Sequence, residues 1–160
     1  KKETFIISQS ISVIGYILFW FLFIPGKPYM FLFALPFFSF GIGGLFTLMM
    51  SMTADTCDYE ELENGLPRKE GSFGAIYWWM VKLGTALAGL LSGLIMYYVG
   101  FSSDASSQPE GALTGLRIAY STIPVIGTLI AIYVMSDYEI NEDRAAEIRS
   151  QLQERKGEMN

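Results

Sequence analysis

Hydrophobic positions in this chain come in long uninterrupted blocks rather than at every second, or every third to fourth, place. Residues 5 to 24 and 28 to 54 contain no Asp, Glu, Lys or Arg; residues 71 to 103 contain Lys82 alone, and residues 111 to 136 contain Arg117 alone. Each block exceeds the roughly 20 residues a helix needs to cross about 30 Å of hydrocarbon. Helices or strands of a water-soluble domain would carry a polar face at their own period, and these blocks carry none. The pattern predicts an all-α polytopic transmembrane bundle with helices over about 5–24, 29–54, 72–99 and 112–136.

Breaker residues mark the joints. IPGKPY, with Pro25, Gly26 and Pro28, ends the first block in a turn that no continuous helix could follow. Pro36 and the cluster GIGG, Gly41 to Gly44, predict a bend or a close helix contact in the second block. FSSDASSQPEG reads as a polar surface loop after the third, and Pro124 predicts a kink in the fourth. Beyond residue 136 the chain turns charged. Asn141 is placed to cap a short amphipathic helix whose first turn holds Glu142 and Asp143, so residues 137–160 read as a peripheral tail.

Charge placement predicts the orientation. Lys1, Lys2, Arg68, Lys69, Arg144, Arg149, Arg155 and Lys156 lie on one side, against Lys27 and Arg117 on the other. The positive-inside rule therefore puts both termini and the 55–70 segment in the cytoplasm of a multi-pass cell-membrane protein. The net charge of −5 does not alter this, because carboxylates weigh little in that rule. Trp20, Tyr97 and Tyr98 suit aromatic belts at the outer ends of the first and third helices.

Several kinds of chemistry are set aside. The single cysteine, Cys57, cannot form an internal disulfide, and a chain without histidine lacks the usual nitrogen and sulfur metal sites. No phosphate loop, nucleophile elbow or basic patch with interleaved aromatics occurs, so neither an enzyme nor a nucleic-acid binder is expected, and no cofactor. The chain opens without a methionine on a charged doublet, which reads as a piece of a longer protein.

Lys82 is the residue this composition leaves unexplained. Counting about 1.5 Å of rise per residue from Ser72 puts it about 15 Å into the membrane, too deep for its stem to reach either surface easily. A charge at that depth costs at least about 2.5 kcal/mol unless an interior partner or water-filled cavity receives it. Its helical face carries Ala75, Trp78, Trp79, Thr85, Ala86, Gly89 and Gly93, and GLLSG is a close-packing motif. None of the four blocks offers a carboxylate at comparable depth. The counter-charge is expected from helices outside these residues, either as a structural ion pair or in a transport pathway.

The string ADTCDYEELENGLPRKEGSFGAIYWWMVKLGTALAG, residues 54 to 89, resembles the signature of the glycoside-pentoside-hexuronide:cation symporters, the melibiose-carrier branch of the major facilitator superfamily. Its parts are A-D-x-x-D-Y-x-E, then G-x-x-R-x-E, then an aromatic stretch running into V-K-x-G. The tail, YEINEDRAAEIRSQLQERKGE, is similar to the way many members end. The resemblance covers the whole chain as the last four of twelve helices. It implies sugar or glycoside symport with sodium or protons by alternating access. The partners would be a sugar, a coupling cation, the lipid bilayer and the preceding helices of the same transporter, with no nucleic acid.

Carried over by position, the resemblance makes Lys82 the ion-coupling lysine, close to carboxylates of two earlier helices. Tyr77 and Trp78 fall where the melibiose carrier places polar groups near its sugar, and Phe46 where it has an aromatic wall. Aromatic residues at 77 and 78 argue against melibiose itself, although aromatic faces suit sugar rings. Asp55, Asp58, Tyr59, Arg68 and Glu70 would form a cytoplasmic gate, an ionic latch closed in the outward-open state, while Glu61 to Asn64 read as solvated charge. Two other classes stay open: a carrier of lipids or amphiphiles, which the aromatic first two helices would suit, and a noncatalytic four-helix membrane subunit.

Overall fold

The structure, a computed structural model, describes residues 1–24, 26–27, 29–65, 68–102, 108–109 and 111–158. Its helices are α1 (Lys2–Leu22), α2 (Leu35–Asn64), α3 (Glu70–Tyr98), α4 (Ala112–Ser136) and α5 (Glu142–Glu158), with a 3-10 turn at Met30–Phe33 between the first two. Helices α1 to α4 are long and apolar enough to cross a membrane. The architecture is an all-α membrane bundle, as the charge-free blocks predict.

The tightest packing lies between α1 and α2, and small and polar residues make it. The buried face of α1 is Phe5, Ser8, Gln9, Ser12 and Gly15, a stripe at helical spacing with one large side chain. Opposite it, a Cβ on Gly41 would lie 1.5 Å from Ser12 Oγ and 3.0 Å from the Ser8 carbonyl oxygen, and one on Gly44 would lie 2.8 Å from Ser8 Oγ. A Cβ on Gly15 would in turn lie 2.8 Å from Phe37 Cβ. The backbones approach closely because these positions have almost no side chain, which is how helices associate where lipid supplies no hydrophobic drive. Gln9 Nε2 donates to the Gly41 carbonyl across the contact at 2.9 Å, and Tyr16 stacks on Phe38 with ring centroids 5.7 Å apart. The close contact predicted from GIGG is found at Gly41 and Gly44, whereas Gly43 faces open space.

Helix α4 packs along α1 through Ala112, Leu116 and Ser121, which are its buried residues. Arg117 spans this pair: its Nε donates to the Trp20 carbonyl at 2.5 Å and its guanidinium sits 4.7 Å over the Trp20 ring. That carbonyl is among the last four of α1, which have no partner inside their own helix. Helix α5 lies on the end of α2 with Ala145, Ile148 and Leu152 buried. Arg144 N–H donates to Asn141 Oδ1 at 2.8 Å, the N-cap bond expected there.

The structure differs from the sequence reading in two places, both in α2. Helix α2 does not end at 54 but continues to Asn64, where Gly65 stops it in the left-handed region (φ 64°). Pro36 does not bend α2. It lies in the first turn, where its missing N–H has no helical partner to lose, and residues 30–33 form a turn of their own. Helix α4 runs unbroken through Pro124, leaving the Tyr120 carbonyl without its usual donor. Gly26 has the positive φ of 83° that a turn in IPGKPY requires, but Pro25 and Pro28 lie outside the described residues, as does most of the 101–111 loop.

Helix α3 stands apart from the rest. None of its residues is buried. At one end, Arg68 and Lys69 reach α2; at the other, Val99 Cγ1 lies 2.6 Å from where a Gly115 Cβ would be. Ser92 and Tyr120 add one hydroxyl contact at 3.3 Å. The glycines of GLLSG have nothing within 4 Å, so the close packing predicted for them is not made among the described residues.

Gly41→Ala should destabilise the purified membrane protein by about 1–3 kcal/mol, the usual cost of overpacking, read as a lower midpoint of thermal unfolding in detergent. Gly43→Ala, two residues along the same helix, should leave the midpoint unchanged or slightly raised.

Candidate functional site

Two groups of side chains carry the candidate chemistry: a charged cluster where α2 ends and α3 begins, and the middle of α3. The cluster exists because α2 continues past its apolar part, so that Asp55, Asp58 and Glu61 project at successive helical turns. Arg68 is its centre. Nη1 lies 3.3 Å from Asp58 Oδ1 and Nε lies 3.5 Å from Glu70 Oε2, so one guanidinium joins the last turns of α2 to the first turn of α3. Beside it Lys69 Nζ lies 2.9 Å from Glu60 Oε1. The side chains of Arg68 and Glu70 are exposed, so these contacts hold by geometry more than by energy.

The other two residues of the predicted gate are engaged elsewhere. Asp55 is 4% exposed and pairs with Lys1, Nζ to Oδ2 2.5 Å, tying the start of α1 to α2. Its charge, after burial, also pushes the Tyr138 phenol upward. Tyr59 donates its hydroxyl to Glu63 at 2.9 Å, one turn along its own helix. The structure thus brings Asp58, Arg68 and Glu70 together, and it places Asp55 and Tyr59 in separate contacts.

Sequence reasoning did not find the grip of the tail on this cluster. Lys156 Nζ lies 2.9 Å from Glu61 Oε1, and Arg155 Nη1 donates to the Leu62 carbonyl at 3.3 Å, one of the orphan carbonyls at the end of α2. Glu61 therefore belongs to an ion pair rather than to solvated charge. The spacing of Ala145, Ile148 and Leu152 was a signal that the tail helix has a docking face. Nothing in the sequence named its target.

Lys82 lies at mid-helix on α3, exposed, and forms no ion pair among the described residues. Trp78, four residues earlier and on the same face, is half exposed. Tyr77 meets the Trp78 ring edge to face, centroids 5.4 Å apart, and its hydroxyl is enclosed without a hydrogen-bond partner among the described residues. Phe46 is on α2, 41% exposed, and pairs with no other ring among the described residues.

A profile of the family described as MFS/sugar transport protein matches residues 1–142. The chain belongs to this family. Among its relatives, a glucuronide carrier protein homolog of Escherichia coli (strain K12) is 29% identical over 156 residues, covering 98% of this chain and 34% of that protein. A putative glycoside/cation symporter, YagG, of the same organism is 32% identical over 105 residues, covering 66% of this chain and 23% of the relative. A putative sulfoquinovose importer, also from Escherichia coli, is 33% identical over 118 residues, covering 73% and 25% respectively. No solved structure matches. The chain spans about a third or less of the length of these curated relatives. Within the family it falls among the glycoside-pentoside-hexuronide:cation symporters, and its four long apolar helices make it part of a multi-pass membrane protein.

Two neighbouring carboxylates should respond differently to neutralisation. Asp55→Asn strips Lys1 of its partner at a buried site and should cost about 1–3 kcal/mol of stability. Asp58→Asn, beside the exposed Arg68, should cost about 1 kcal/mol or less. Thermal unfolding of the two variants side by side checks the order.

Proposed function

We propose that this chain forms part of a secondary transporter that carries a sugar or glycoside together with sodium or a proton by alternating access. The observation that carries the reading is Lys82: a lone cation in the middle of an apolar span, exposed on a helix with no buried residue among the described residues. Such a charge needs a partner in low dielectric. The relatives' greater length leaves room for carboxylates from other helices to supply it. With no ion bound, the Lys82 ammonium neutralises one of those carboxylates; an arriving cation takes over that role and frees the lysine. Because the released ammonium must then find water or another partner, ion occupancy shifts the balance between conformations.

Tyr77, Trp78 and Phe46 are the residues assigned to the sugar. The Tyr77 hydroxyl, enclosed and unpartnered among the described residues, is suited to a hydrogen bond with a sugar hydroxyl, and an aromatic ring face suits the apolar face of a pyranose. Arg68 acts as the latch. Its contact with Asp58 holds the end of α2 to the start of α3 and must break if α3 moves away from α2 carrying Arg68, while Glu70 moves with it. This places the charged cluster, both termini and the tail on the cytoplasmic side, in keeping with the distribution of lysine and arginine.

In the full transporter, Lys82→Ala should abolish gradient-driven sugar accumulation in vesicles, normalised to folded carrier, while yield falls far less. Undiminished coupled accumulation would refute the ion-coupling role. Arg68→Ala should slow transport several-fold with equilibrium sugar binding nearly unchanged, since the latch lies far from mid-helix. Wild-type rates would reduce Arg68 to a solvated charge.

A further inference from the structure

Between α1 and α4 runs a cleft of about 430 Å³. Ile17, Trp20 and Phe21 line it from α1, and Ile118, Ser121 and Val125 from α4. Its walls are mostly apolar, with hydroxyls from Tyr16, Ser121 and Thr122; of these Ser121 is 7% exposed, and its Oγ has no hydrogen-bond partner among the described residues. A hydroxyl that far from water costs free energy unless something meets it. Arg117, one turn before Ser121, stands over the ring of Trp20, a lining residue at the end of the cleft nearest the α1 C-terminus. Its Nε is used by the Trp20 carbonyl, but no carboxylate and no other hydrogen bond engages the guanidinium among the described residues. The rest of its donor fork is therefore available.

The depth of these residues identifies the occupant. Trp20 is two residues from the end of α1, and Arg117 lies about 7.5 Å along α4 from Ala112, counting about 1.5 Å per residue. That is the level of lipid headgroups, where tryptophan and snorkelling arginine belong. From this cationic mouth the cleft runs toward mid-membrane between apolar side chains. We propose that the α1–α4 cleft is a binding site for one anionic phospholipid of the leaflet at the α1 C-terminal end. Its phosphate is held by the free donors of Arg117, its glycerol ester oxygens accept from Ser121 Oγ, and one acyl chain lies along Ile17, Phe21 and Val125. The inference needs the chain only to span a membrane and is independent of what it transports.

The test uses the full transporter in mixed vesicles of phosphatidylglycerol and phosphatidylcholine with matched acyl chains. It is extracted mildly and weighed by native mass spectrometry. The wild type should retain one phosphatidylglycerol with at least about fivefold preference, the size expected of one basic residue at a membrane surface. Arg117→Gln should lose that preference and Arg117→Lys should keep most of it. A phosphatidylglycerol bearing a photoreactive group on its acyl chain should crosslink to residues 17–21 and 118–125. Equal preference in wild type and Arg117→Gln overturns the proposal. So do crosslinks confined to other segments, which would mean that another helix of the transporter fills the cleft.

Discussion

Close approach of α1 and α2 is the constraint on which the rest of the structure depends. In a bilayer the tails of lipids are as apolar as leucine, so burying apolar side chains gains little and helices must associate through contact and hydrogen bonding. Gly41 and Gly44 opposite Ser12 and Ser8 supply the contact, and the bond from Gln9 to the Gly41 carbonyl supplies a polar link that has no competing water. Lys1 and Asp55 close the same pair at one end. Once α1 and α2 are fixed, α4 has a groove to follow along α1, and α5 has a helix end to sit on.

Helix α3 is what this arrangement leaves over. It is tied to α2 by the Arg68 and Lys69 contacts and to α4 near Val99, with a single hydroxyl contact, Ser92 to Tyr120, farther along. Its middle carries a lysine, two tryptophans and a row of glycines, and is largely uncovered by the described residues. Gly41 and Gly44 are covered while Gly84, Gly89 and Gly93 are open, although both sets read alike as packing motifs.

The helices, their number and the family were legible in the sequence because each rests on a long signal: blocks of twenty or more residues with at most one charge, and an ordered string across 54–89. What was missed depends on partners far apart in the chain. Asp55 and Asp58 look equivalent in sequence, yet one meets Lys1, 54 residues away, and the other meets Arg68. The extension of α2 was hidden because a run of acidic residues looks like the start of a loop. The stop signal was nevertheless present at Gly65, and Thr56 and Tyr59 find partners four residues away along the same helix. Glu61 was set down as solvated because nothing local marks it as the anchor of Lys156, 95 residues later.

The central claim is that the exposed face of α3 is reserved for the ion-coupling machinery of the whole transporter. A structure of the full transporter, determined in lipid without coupling ion, tests this most directly. The account predicts the α1–α2 contact unchanged, with Lys82 Nζ within about 4 Å, the span of an ion pair, of a carboxylate from a helix outside these residues. A Lys82 side chain turned to lipid, or one with no carboxylate near it, would contradict the account.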